Sequence, residues 1–357
     1  MTSELSQKLY QLCDKDEGRC DAWGKAPRDM SLIADSLGFE RVNIRMQNES
    51  RSVAGFIKRH FCFVKDYIRA YRKIERNGIL LMQHPLYEPL PFRYLILRLL
   101  KKKNVKFISQ VIDVEKLRDC ENTFLKHEFE FMFRYSEVII VHNKRMLEWF
   151  VSKGMSRDRL VDVEIFDNIG NAEIKKPVFE KSITVAGGLK LKKSGYLRFL
   201  GGVTDYPVHL YGPVEKDENI MQYFTAAKYH GVFPSDELAE KLLGGFGLVW
   251  DGEAAEGGTG SYGEYLKYND PHKLGLYLSA GIPVIVWKES AAALFVEKYK
   301  VGLCIGNLNE IADILNNISE EEWKLYSENA LIEGEKIRKG EHFRNALVSA
   351  LDKLKKQ

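Results

Sequence analysis

Cysteine is scarce and forms no pattern. Cys13, Cys20, Cys62, Cys120 and Cys304 are odd in number, with no C-x-x-C couple among them. This argues against a disulfide framework or a zinc knuckle, and a reducing cytoplasm is the expected setting. Excess charge is missing too. The chain carries 53 Lys+Arg against 50 Asp+Glu, a net of +3. That is too balanced to suggest a nucleic-acid partner on bulk electrostatics. No apolar run reaches the roughly 18 to 20 residues of a membrane span. The start, "MTSELSQKLYQL", lacks the apolar centre of a signal peptide. The expectation is a cytoplasmic protein, soluble or peripheral at a membrane face. No repeat of solenoid period is present. Several chemistries also lack their marks. No D-x-D metal clamp follows any of the strand candidates below, where the nearest match is Asp113-Val-Glu115. No His/Cys cluster has zinc spacing, and there is no G-x-S-x-G elbow.

What is present is alternation. At 45% hydrophobic and 11% aromatic over 357 residues, the chain can bury about two domains' worth of core. Strand candidates in the first half are 41–46, 78–83, 105–112, 137–143 and 161–166. In the second they are 182–188, 208–212, 245–252, 283–287 and 302–306. These runs are rich in Val and Ile and unbroken by polar alternation, which suits parallel sheets covered on both faces. Helix-period stretches lie between them. One is predicted to start at Pro27 and stop at Gly38, another to span 271–280. The fold class expected is therefore α/β, with two doubly wound domains meeting at a cleft. The polar stretch "DNIGNAEIKKP" (167–177) marks the boundary, and the end from about 319 reads as purely helical.

Ligands of such sheets bind beyond the C-terminal ends of the strands. The stretch "NDPHKLGLYLSAGIPVIVW" (269–287) fits that place. Asp270 is predicted to cap a helix whose first turn holds His272 and Lys273. A helix start is already positive, so a lysine there suggests a bound anion. The plain alternative is a core helix burying Leu274, Tyr277 and Leu278. "VAGGLKLKK" (185–193) runs a strand into Gly187-Gly188 and a group of lysines, a phosphate turn or a solvated basic stretch. The Gly-rich stretch after Trp250-Asp251 is either a lid or an ordinary surface loop. Gly24 and Lys25 are expected on a loop facing the cleft. Asp113 and His84 follow strands and are candidate bases for a hydroxyl proton, or simple turn residues. Segment 56–76 carries seven Lys/Arg against two acids, interleaved with aromatics. It suits an anionic membrane surface or a solvated amphipathic helix.

The run "GFGLVWDG … YNDPHKLGLYLSAGIPVIV", with "GKAPRD", "QHP" and "VIDVEKLR" earlier, resembles a bacterial family of GT-B glycosyltransferases. That family includes galactofuranosyltransferases of polysaccharide assembly and glucosyltransferases that extend GlcNAc on serine-rich adhesins. The resemblance implies GT-B architecture: an acceptor-side Rossmann-like domain over 1–168, a nucleotide-sugar-binding one over 169–318, and helices from 319 to 357 packing across both. It implies a UDP-sugar donor, no cofactor, no metal and inversion at the anomeric carbon. Donor contacts would fall at Gly187, Gly188, Lys190, Phe233, Asp251, Asn269, His272 and Lys273. Gly188 stands where relatives carry Asn, and Ile112 precedes Asp113 where relatives often carry His. The sugar would be of the galactofuranose, glucose or GlcNAc class. The acceptor would be a glycan, glycoprotein or lipid-linked hydroxyl, and a homo-oligomer is a further expectation. A nucleotide-sugar epimerase of similar architecture and a non-catalytic nucleotide-sugar-binding subunit remain the alternatives.

Overall fold

The Val- and Ile-rich runs become strands closed off on both faces: Val138, Ile139, Ile140 and Val141 are all fully buried. The computed structural model describes residues 7–14, 22–44, 53–86, 91–118, 123–170, 174–203, 205–215 and 219–356. The first sheet holds β1 (Leu9–Asp14), β2 (Glu40–Ile44), β3 (Ile79–His84), β4 (Lys106–Val111), β5 (Val138–Val141) and β6 (Leu160–Asp162), in the order β2-β1-β3-β4-β5-β6. The second holds β7 (Ile183–Ala186), β8 (Val208–Tyr211), β9 (Ala227–Gly231), β10 (Phe246–Val249), β11 (Val284–Trp287) and β12 (Gly302–Ile305), in the order β12-β11-β10-β7-β8-β9. Every pairing between these strands is parallel. Strand order reverses beside β1 and again beside β7, and each reversal opens a crevice at the strands' C-terminal ends.

Two helices end the chain, Glu320–Lys339 and Glu341–Lys355, joined at Gly340 with φ +70°. The first lies against helix His272–Ser279. Its Gly334 comes so close that an added Cβ would sit 2.1 Å from the Leu278 carbonyl oxygen. The second returns to the other domain, where Phe343, Leu347 and Leu351 join Ile79, Ile108 and Val138 in one core cluster. Its start is held by Asp167, which accepts the Phe343 N–H at 2.8 Å. The C-terminal helices thus tie both sheets together.

Several local expectations are corrected. The polar-looking start contains β1. Its Gln11 is buried because the amide donates to the Ser31 carbonyl and the Asp35 carboxylate. Strand β9 was not foreseen, since it lies at the sheet edge with Lys228 and Tyr229 exposed. The first helix spans Ala22–Ser36 with Pro27 inside it, so Gly24 and Lys25 are helical and not on a loop. The Gly-rich stretch is packed down on the second domain. Gly257 and Gly258 lie against the Trp287 indole, where a Cβ would sit 2.0 Å and 2.2 Å from ring carbons. The Leu308 N–H donates to the Ala255 carbonyl at 2.9 Å, closing the segment onto the end of β12.

Candidate active site

The crevice of the second sheet is built from the ends of β7 and β10. Gly187 and Gly188 follow β7 and are exposed. Gly187 has φ +135°, and a Cβ at either glycine would meet nothing within 4 Å. The backbone therefore borders open space. Trp250 and Asp251 follow β10. Opposite them starts helix His272–Ser279, whose N-cap is Pro271 with no side-chain cap. Its first N–H groups keep their dipoles for a ligand.

Asp270 is not the expected cap. It is buried, its Oδ2 accepts the Asn143 amide at 2.9 Å, and its N–H donates to His142 Nδ1 at 3.2 Å. Both partners follow β5, so Asp270 anchors the helix start to the other domain. Burial, with the Asp162 and Glu164 charges behind it, lifts its carboxyl to about 7 against the Asn143 hydrogen bond.

Lys273 has its counter-ion within the chain. Its ammonium donates to the Trp250 carbonyl at 2.6 Å and to Asp251 Oδ1 at 2.9 Å. Burial lowers its pKa although Asp251 opposes that. His272 is half-buried, with its ring 4.5 Å from Phe166. Burial and the Lys193 charge pull it down to about 4, which leaves it neutral at pH 7. Lys193 acts on both His272 and Lys273 and is itself exposed. It has no acidic partner among the described residues. Lys190, the lysine selected from the sequence, is paired with Glu215 at 2.7 Å. Lys193, near the Tyr262 ring at 5.9 Å, is therefore the lysine of this run left without an acid at the helix start among the described residues, and the turn geometry that decides it is invisible in a run of lysines.

Polar atoms without partners gather around the same point. Asn269 Oδ1, Asp270 Oδ1, Trp250 Nε1 and His142 Nε2 are buried with no hydrogen bond. Each such atom costs about 1–3 kcal/mol unless a ligand or water satisfies it. Phe233 lies farther out, after β9, half-buried with its ring 6.2 Å from Tyr211.

On the opposite wall, Asp113 follows β4 and stays partly exposed. The next residue docks on the second domain, with the Val114 N–H donating to the Tyr265 hydroxyl at 2.8 Å. His84 ends β3 but is 3% exposed, its Nδ1 3.6 Å from Glu128 Oε2. Glu128 also accepts from Arg93, from Tyr94 at 2.6 Å and from the Leu86 N–H at 3.0 Å. Burial would raise its carboxyl, but His84, Arg93 and Tyr94 outweigh this and hold it at about 2. Enclosed in this way, His84 does not reach the cleft, whereas Asp113 borders it. Lys25 is not open to a ligand either. Its ammonium is spent on Asp29 at 3.0 Å, the Ile169 carbonyl at 2.7 Å and Asp236 at 3.0 Å. Arg28 joins the same Asp236. This knot straps the first domain to the loop after Phe233.

Sequence reasoning missed His142. It sits between the two walls, receiving the Asp270 N–H on Nδ1. Burial and His272 pull it down to about 3, opposed by the backbone of Ile112 and Val111 beside it. The His-Asn pair closing an apolar strand was the signal available. Among the described residues no group of three His, Cys, Asp or Glu side chains could hold a metal ion.

Residues 14–165 match the N-terminal domain, and residues 183–350 the C-terminal domain, of the family described as glucosyltransferase 3-like. The β-1,6-galactofuranosyltransferase WbbI of Escherichia coli K12 is 28% identical over 353 residues, 97% of this chain and 99% of that one. Glucosyltransferase 3 of Streptococcus gordonii is 24% identical over 300 residues, 84% and 85% of the two chains. Among solved structures, Anabaena HepE in complex with UDP and glucose superposes with a TM-score of 0.63 at 11% identity, covering 97% of this chain and 99% of its own. With two parallel sheets facing a crevice and both halves matched, the chain belongs to the glucosyltransferase 3-like family of GT-B glycosyltransferases.

Proposed function

We propose that the enzyme moves a sugar from a UDP-sugar to a hydroxyl of a glycan, glycoprotein or lipid-linked acceptor. The observation that carries this is the uncapped start of helix His272–Ser279, facing the unpaired Lys193 and the open backbone of Gly187-Gly188. Dipoles, a free cation and room for a backbone approach suit a diphosphate. The relatives are named for galactofuranose and glucose transfer, and a neighbour of the same fold was solved with UDP and glucose.

In the proposed reaction the bond between the anomeric carbon and the diphosphate oxygen breaks, and the electron pair leaves with UDP. The acceptor oxygen forms the new bond to that carbon from the opposite face. Its proton passes to the Asp113 carboxylate. Negative charge grows on the leaving group in the transition state, so Lys193 and the helix N–H groups stabilise that state more than bound substrate. Neutral His272 adds a hydrogen bond. These charges do the work a metal would do, and the reaction is proposed to need none. Lys273 acts through Asp251, pinning the helix start to the end of β10.

A panel of UDP-sugars, assayed for UDP release with and without candidate acceptors, tests this. Release from one sugar class that needs acceptor is the expected result. Conversion of donor alone would make the protein an epimerase, and UDP binding with no release under any condition would make it a binding subunit.

A further inference from the structure

The basic segment singled out in the sequence forms helix Val53–Lys73, and the segment after β3 forms helix Pro91–Lys102. The two helices pack side by side over the first sheet. Phe63 and Tyr67 of one share a buried cluster with Ile96 of the other. Their outer faces are the opposite of a core. At 3.6 residues per turn, Lys58, Phe61, Lys65 and Arg72 fall within about 60° of one another on the first helix. All four are exposed, Phe61 to 74%. On the second helix Leu95, Arg98 and Lys102 form a parallel stripe, all exposed, Leu95 to 50%. None of these cations has an acidic partner among the described residues. The side chains of residues 56, 57 and 59 lie outside the described residues.

We infer that this two-helix face is a docking surface for an anionic lipid bilayer. Cations alone would suit any polyanion. A phenylalanine and a leucine projecting from among them would not, because a soluble polyanion gives them nothing apolar to enter. At a bilayer the cations meet headgroup phosphates while Phe61 and Leu95 enter the acyl boundary. Each helix follows a strand of the parallel sheet and runs back from its C-terminal end, so Lys58 and Leu95, in the second turns, lie toward the cleft end of the domain and Phe61 lies nearer mid-helix. The surface would therefore bring the acceptor domain to a membrane with its crevice close by. This holds whatever sugar is moved, and its test is independent of turnover.

The full-length protein is floated with phosphatidylcholine vesicles and with phosphatidylcholine–phosphatidylglycerol vesicles. Binding to the second only, weakened by salt, is expected. K65E should weaken it by roughly fivefold or more, given the contribution of one cation near an anionic surface. F61A, with all charges intact, should weaken it as well. Thermal melts of both variants should match wild type, since these side chains face outward. No flotation with anionic vesicles overturns the inference. So does binding untouched by F61A, which would leave only a soluble-polyanion site, as would retention on dextran sulfate without vesicle binding.

Discussion

The Lys273 ammonium lies 2.9 Å from Asp251 Oδ1, and their side chains are only 14% and 8% exposed. Removing one member of such a pair leaves the other buried and uncompensated, at a cost of about 3–5 kcal/mol. Lys273→Ala should therefore lower the melting temperature by roughly 10 °C. The double variant Lys273→Met with Asp251→Asn should regain most of that loss. Calorimetric melts of the three proteins check this. A single variant as stable as wild type would show that the pair is not a structural pin.

Asp113 borders the cleft while His84 is sealed behind it. Asp113→Asn keeps shape and volume but cannot take a proton. Transfer should fall by about 10²–10⁴-fold while UDP affinity holds. His84→Gln should show the reverse pattern, with a loss of stability and a smaller loss of turnover. Near-normal transfer by Asp113→Asn would remove it as the base.

Asp270 sets a pH dependence whose sign follows from its raised pKa. Its carboxyl titrates near 7 in the folded chain against 3.8 as a free side chain. The folded state thus holds a proton that the unfolded state releases. The associated stability is fully present below 3.8 and is lost as pH rises through 7. Asp270→Asn mimics the protonated form. Melting curves of variant and wild type should coincide near pH 4, and the variant should melt higher above pH 7. A difference that does not change with pH would contradict the assignment.

Much of this architecture was legible. Buried parallel strands announce themselves through unbroken Val and Ile, and the helix at 272 through Pro271 before it and Gly281 after it. Strand β1 was hidden because the amide of Gln11, at its centre, finds its partners on the first helix, at the Ser31 carbonyl and the Asp35 carboxylate. Strand β9 was hidden because an edge strand need not be apolar. The site was half legible. Glycines and the charged helix start mark the crevice, but partner choice is a long-range matter. Nothing near Lys25 in sequence foretells Asp236, and nothing in the lysine run foretells that Glu215 would occupy Lys190 and leave Lys193 free.

The central claim is that a nucleoside diphosphate binds between Gly187-Gly188 and the start of helix His272–Ser279, with Lys193 as its free cation. Calorimetric titration of UDP into wild type and Lys193→Ala tests it most directly. Lys193 is exposed and bridges no acid among the described residues, so the variant should melt as wild type does. A lost charge-assisted contact of about 1.5–3 kcal/mol should weaken UDP by roughly 10- to 100-fold. Equal UDP affinity in a folded Lys193→Ala protein, or no UDP binding by wild type, would contradict the account.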